Sequence, residues 1–198
     1  WVIEDDYDGE FHWRGQEIAA MQAQAAAGEA LYLGTAAKAL MPGLRLGWMV
    51  LPEGLVEPMR QAQRNLGLGA NIHAQAALAD LMRGGEYRAH LRRMARVNGE
   101  RGEALVAALR ARLGDEVTAE LPDGGLQLAL LFPGAAREAA AQRALQAAGF
   151  APSRLSGFGL AHRPTGLVTG FADATPERIA RFADVLAAAL AAPPQGAP

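Results

Sequence analysis

The sequence predicts an α/β chain made of a partial sheet, a long helix and a small α+β lobe. Three observations carry that prediction. Short apolar runs of strand length open the chain, apolar residues at three- and four-residue intervals fill its middle, and strand-like and helical stretches alternate through its last third.

The runs WVIE (1–4), ALYLGT (30–35) and LRLGWMVL (44–51) are bounded by Gly, Pro or acidic residues and read as neighbouring strands of one sheet. Between the first two, the Ala-rich EIAAMQAQAAAGEA fits either a weak helix or a loose connection. From Pro52 onward the helical period runs to Gly114, interrupted at residues 67–70 and at Gly84-Gly85, and the stretch after Glu86 is expected to be one long helix. VTAEL, GLQLALLF, an Ala-rich helix over 135–149, FAPSRL, GLVTGFA and a last helix from about Thr175 to Ala192 complete a two-layer lobe. Thr175-Pro176 places an N-cap before a Pro at the first helical position, the best-marked boundary in the chain. The expected organisation is residues 1–85, the larger α/β part; 86–190, the long helix and the small α+β domain; and 191–198, a tail with nothing to bury.

Composition excludes several classes. The 198 residues are 51% hydrophobic and 20% charged with a formal net charge of −2, which describes a soluble globular chain without an overall basic field for nucleic acid or membrane surfaces. The absence of Cys removes disulfides, thiolate metal sites and a Cys nucleophile, and fits a cytoplasmic protein. No apolar run approaches the roughly 18–20 residues that span a bilayer. The chain starts at Trp1, inside a strand, and is expected to be the C-terminal piece of a longer protein.

Lys38 is the single lysine in a chain that writes its other cations as Arg. Arg cannot lose its proton near neutral pH, so an amine nucleophile must be Lys. Lys38 follows a predicted buried strand in a turn, where active-site loops of α/β sheets lie and where partial desolvation lowers an amine's pKa. The competing reading is an exposed Lys that escaped an Arg-rich composition. Thr35 and Arg45 flank it with a hydroxyl and a planar donor fork suited to phosphate. IEDDYDGEF (3–11) crowds carboxylates and a Tyr at the end of the first strand. Asp-rich strand ends can hold Mg²⁺, but such a site does not call for a lone lysine on the next strand. An amine, a phosphate clamp, a carboxylate and a phenol together suit pyridoxal 5′-phosphate, whose ring nitrogen, O3′, phosphate and aldehyde need those partners.

IEDDYDGEF, YLGTAAKALMPGLRLGWMVLP and GGEYRAHLRRM closely resemble the aminotransferase-like region of the MocR branch of the GntR transcriptional regulators, and the resemblance covers nearly the whole chain. It implies the C-terminal part of a fold-type-I pyridoxal-phosphate transferase-like domain, with a DNA-binding winged helix-turn-helix upstream of Trp1. It also implies Lys38 as the residue forming the internal aldimine, Asp5 at the pyridine nitrogen, Tyr7 at O3′, and Thr35 and Arg45 on the phosphate. A homodimer is expected, with GLGANIHAQAALADLM as a contributor. Three positions depart from the family pattern: Ala37 replaces a Ser, Ala36 an aromatic, and Val168 the Arg that grips a substrate carboxylate. Arg154 and Arg163 are alternatives for that last role, each better read as a solvated ion-pair member. The function implied is sensing of an amine or amino-acid effector through exchange at Lys38, with DNA reached only through the upstream domain. The alternative is a working class I/II aminotransferase.

Overall fold

β1 (Val2–Asp6), β2 (Ala30–Thr35) and β3 (Gly47–Val50) form one sheet in that order, as the three apolar runs predict. The computed structural model describes residues 1–15, 19–26, 28–161 and 163–192. β1 and β2 run parallel, with Asp5 opposite Leu33 and Asp6 opposite Gly34. β3 returns antiparallel, with Thr35 opposite Gly47. This register brings the C-terminal ends of β1 and β2 and the start of β3 to one end of the sheet. Trp48 lies across Gly34, where an added Cβ would come within 2.5 Å of the indole ring, so β2 needs a residue without a side chain there.

One expectation about this sheet changes. The strand expected over 44–51 begins only at Gly47, because Pro42–Leu44 forms a 3₁₀ turn and Arg45 takes the left-handed conformation at φ 51°, ψ 40°. Pro42 sets the turn's first φ, and the Arg45 N–H closes it on the Pro42 carbonyl at 3.3 Å. The Ala-rich connection holds one short helix, α1 (Met21–Gln24); Gln16–Ile18 and Ala27 lie outside the described residues.

α2 (Glu53–Asn65), α3 (Ile72–Gly84) and α4 (Glu86–Leu113) follow. Asn71 caps α3 by accepting from the N–H groups of His73 and Ala74, and Gly85 ends it at φ 87°. α4 runs 28 residues as the uninterrupted periodicity predicts. The chain divides into two compact units, Trp1–Ala95 and Arg96 onward, and the division falls inside α4.

The second unit contains a four-stranded antiparallel sheet in the order β4 (Thr118–Ala119), β5 (Gln127–Leu131), β7 (Gly166–Gly170), β6 (Ser153–Arg154). α5 (Ala135–Ala147) and α6 (Pro176–Ala191) complete it. Its core is closed: Leu130, Leu145, Leu167, Phe171 and Leu186 are fully buried, each contributing about 2–3 kcal/mol of apolar burial. Phe150 meets Phe182 edge to face at 5.2 Å. Thr175 caps α6 as expected, its hydroxyl accepting from the Arg178 N–H, with Pro176 in the first turn. The expected tail from residue 193 lies outside the described residues.

Candidate functional site

The carboxylates of β1 separate by alternation. Successive side chains of a strand point to opposite faces, so Glu4 and Asp6 share one face and Asp5 points to the other. Glu4 accepts from the N–H groups of Met21 at 2.8 Å and Gln22 at 3.1 Å, fastening α1. Asp6 accepts from the Tyr32 hydroxyl at 2.9 Å and the Gly9 N–H at 2.8 Å, holding β2 and the turn after β1. The Asp5 side chain is exposed and makes no hydrogen bond or ion pair among the described residues. The structure therefore distinguishes, where the acidic motif alone does not, the one carboxylate of β1 left available.

Lys38 sits in a turn held at both sides. Thr35 Oγ1 donates to the Leu46 carbonyl at 3.1 Å and accepts from the Ala37 N–H at 3.1 Å. The Ala36 N–H donates to the same Leu46 carbonyl at 3.0 Å, and the Leu40 N–H closes the turn on the Ala36 carbonyl at 2.9 Å. Ala36 and Ala39 are buried, while Lys38 between them faces outward. Its Nζ lies 5.9 Å from the centre of the Tyr7 ring, a cation–π contact that joins the amine to the acidic motif. The amine is exposed, contrary to the partial desolvation expected from its place after a buried strand: Ala36 and Ala39 take the buried positions of the turn and direct Lys38 to its open side.

Arg45 is exposed and unpaired among the described residues. It is the one described non-Gly residue at positive φ, a conformation that costs on the order of 1 kcal/mol and clusters at binding sites. Asp5, Tyr7, Thr35, Lys38 and Arg45 thus all belong to one end of the sheet. Among the described residues, four of them carry side-chain groups with no internal hydrogen-bond or ion-pair partner; the Thr35 hydroxyl proton is committed to Leu46.

Behind the site lies a tyrosine–carboxylate network. The Tyr87 hydroxyl donates to Glu10 Oε1 at 3.2 Å, while Glu10 Oε2 is buried without a partner among the described residues. Burial raises the Glu10 pKa above the usual carboxylate value; the Tyr87 bond lowers it in part, and the charges of Asp6 and Asp8 raise it further. Burial, with these carboxylates as neighbours, also pushes the Tyr32 and Tyr87 phenols well above their ordinary value. His90 contributes a further bond, 2.7 Å from Nε2 to the Ala39 carbonyl. Nothing in the motifs singles out Glu10, Tyr87 or His90, although the three-residue spacing of Tyr87 and His90 on a helix is a signal that they share a face.

A cleft of about 590 Å³ lined by Leu33, Trp48, Met49, Val56 and Met59 contains none of the five site residues. Among the described residues no group of three or more His, Asp or Glu could hold a metal ion, and no helix is long and apolar enough to cross a membrane. Arg154 and Arg163 belong to the second unit. The charge of Arg154 helps lower the Glu138 pKa. Val168 lies in the middle of β7 between Ala129 and Ser153.

The family model for aminotransferases of class I and II matches residues 2–186, and the chain belongs to that family. Its relatives include regulators. It is 38% identical to the probable rhizopine catabolism regulatory protein MocR of Rhizobium meliloti over 89% of this chain and 36% of that protein. It is 39% identical to the HTH-type transcriptional regulator YhdI of Bacillus subtilis over 70% of this chain and 30% of that protein. The chain thus matches the aminotransferase-like part of MocR-type regulators and spans about a third of their length. Among solved structures, the multiple substrate aminotransferase of Thermococcus profundus superposes with a TM-score of 0.83 at 23% identity, covering 96% of this chain and 47% of that one. The kynurenine aminotransferase of Pyrococcus horikoshii superposes at 0.82 with 26% identity and the same coverage. The fold is therefore that of fold-type-I aminotransferases.

The family implies pyridoxal phosphate. The residues at the sheet end fit it on their own chemistry: a primary amine, a carboxylate, a phenol and a guanidinium stand at one end of a sheet without hydrogen-bond or ion-pair partners among the described residues, while the neighbouring Glu4, Asp6 and Tyr32 are committed.

Proposed function

We propose that this chain is the pyridoxal-phosphate-binding, effector-sensing part of a MocR/GntR-type transcriptional regulator, that it works as a homodimer in the cytoplasm, and that it reaches DNA through a separate winged helix-turn-helix. The observation that carries the reading is Lys38, the only lysine, presented from a doubly anchored turn beside Tyr7 at the sheet end that also bears Asp5 and Arg45. When bound, the cofactor supplies an aldehyde that condenses reversibly with primary amines and a ring that withdraws electrons.

Each residue has a distinct task. Lys38 would contribute the primary amine that holds the cofactor and against which an incoming amine would compete. Asp5, as a carboxylate, holds a proton on the ring nitrogen. Tyr7 orients the ring through its hydroxyl, Arg45 holds the phosphate, and Thr35 adds its hydroxyl to the phosphate or continues to shape the turn through Leu46. Val168, where the resemblance leads one to expect the carboxylate-binding Arg, supports sensing over transamination. The exposed Leu66, Leu68 and Ile72 around the start of α3 support a dimer contact there.

The test uses the intact protein loaded with pyridoxal phosphate and treated with borohydride. The cofactor becomes covalently attached in the wild type and not in Lys38→Ala or Lys38→Arg, because fixation needs a primary amine. Attachment in either variant overturns the assignment. Asp5→Asn retains attachment but alters the absorbance and slows exchange with added amines. Sustained transfer of amino groups to a keto acid would replace the sensor with the enzyme reading.

A further inference from the structure

We propose that His90 is a positioning residue for Lys38, set in one tautomer by Arg93 and acting through the Ala39 carbonyl; this rests on the role given to Lys38 above. Arg93 Nη2 lies 2.9 Å from His90 Nδ1, and His90 Nε2 lies 2.7 Å from the Ala39 carbonyl oxygen. A guanidinium only donates, so Nδ1 must accept; a carbonyl only accepts, so Nε2 must carry the hydrogen. Both contacts together require the neutral imidazole with its proton on Nε2. Histidine protonated on Nδ1 could not accept from Arg93.

The bond completes the fastening of the lysine turn. Residues 35–37 are tied to the Leu46 carbonyl through Thr35 Oγ1 and the Ala36 N–H, and the Leu40 N–H returns to Ala36. All of these anchors are local or come from the β2–β3 connection. On the far side of Lys38, the Ala39 carbonyl is held by His90, a residue 51 positions away on α4. The same helix reaches the acidic motif one turn earlier through Tyr87 and Glu10. The first turn and a half of α4 therefore fixes both segments on which the amine and the ring partners stand. A rigid backbone beside Lys38 limits the directions its four-carbon side chain explores, which lowers the ordering cost of meeting an aldehyde.

The experiment compares wild type, His90→Leu, His90→Gln and Arg93→Leu in the intact protein, with two readouts. The first is amide hydrogen exchange of residues 36–40 without cofactor. His90→Leu should speed it about tenfold, the loss of one hydrogen bond. His90→Gln, whose amide keeps a donor, should restore it, and Arg93→Leu should fall between, since the tautomer is no longer dictated. The second is the pyridoxal phosphate titration followed by absorbance, where His90→Leu should bind about tenfold more weakly with an altered spectrum and His90→Gln close to wild type. Unchanged exchange in His90→Leu, or no rescue by His90→Gln, overturns the proposal. Should His90→Leu fail to fold, unchanged exchange and cofactor titration in Arg93→Leu overturn it equally. Faster exchange together with a wild type that takes up no cofactor upholds the His90 contact as a backbone lock and overturns the cofactor reading instead.

Discussion

Glu138 in the second unit and Glu10 in the first are both withdrawn from water, and their surroundings treat them oppositely. Glu138, 1% exposed on α5, accepts from the Ser156 N–H at 3.0 Å, the Ser156 hydroxyl at 2.6 Å and the Gly166 N–H at 3.1 Å. Burial by itself would raise its pKa; those donors and the charge of Arg154 outweigh burial and hold it below the usual value. Among the described residues Glu10 has one side-chain hydrogen bond, one orphan oxygen and two carboxylates nearby, and its pKa is raised. The hydrophobic surfaces differ in the same sense. β5 and β7 bury Leu130 and Leu167 completely, whereas β1 leaves Val2 at 47% and Ile3 at 66% exposed. In the second unit each Glu138 oxygen meets a donor, although the buried Asn98 Oδ1 has no partner among the described residues. At the first unit's sheet end the side chains of Asp5, Tyr7, Lys38 and Arg45 have no hydrogen-bond or ion-pair partner among the described residues, as expected where local rules yield to a binding site.

The largest test of this contrast is Leu130→Ala, expected to cost about 3 kcal/mol of the second unit's stability through lost burial and a cavity, against less than about 0.5 kcal/mol for Ile3→Ala in the same chain. Urea unfolding followed by far-ultraviolet circular dichroism reads both units. Fluorescence isolates the first, because Trp1, Trp13 and Trp48 all lie there. Comparable losses from the two substitutions would end the contrast.

Glu138→Gln should cost about 2 kcal/mol at pH 7, since an amide cannot accept from all three donors. The sign with pH follows from the lowered pKa: Glu138 stabilises the fold above its unfolded value near 4.3, and that stabilisation disappears as pH falls through the folded value. Acid unfolding of the second unit should therefore become less steep in Glu138→Gln. Glu10 runs the other way. Its raised pKa means that its charge opposes folding above the folded value and ceases to do so below the unfolded one, so Glu10→Gln should show no loss of first-unit stability at pH 7. A clear loss there would mean that the Tyr87 bond outweighs burial.

The smallest effect sharpens the comparison most. Arg45→Gly relieves a left-handed backbone and should leave the cofactor-free first unit unchanged or more stable by about 0.5 kcal/mol. The same change should weaken pyridoxal phosphate binding by tenfold or more, as the phosphate loses a charged donor. Parallel changes in stability and affinity would make Arg45 a structural residue only.

Much of this was legible in the residue order, for reasons that are local. Apolar period, caps and turn residues act within a few positions, so the strand at Ala30–Thr35, the 28-residue α4 and the Thr175-Pro176 start of α6 follow from the chain itself. The solitary lysine and the acidic motif also stand out unaided, because their chemistry is rare in this composition. Tertiary structure alone decided the rest. It determined that Glu4 and Asp6 are consumed by Met21, Gln22, Gly9 and Tyr32 while Asp5 is left available, and that the Thr35 hydroxyl is committed to Leu46. It also placed Arg45 outside the strand and brought His90 onto the Ala39 carbonyl. The bonds of Glu4 to Met21 and Gln22, of Tyr32 to Asp6 and of His90 to Ala39 join residues 17 to 51 positions apart, and hydrogen-bond partnership over such separations leaves no periodic trace in the sequence.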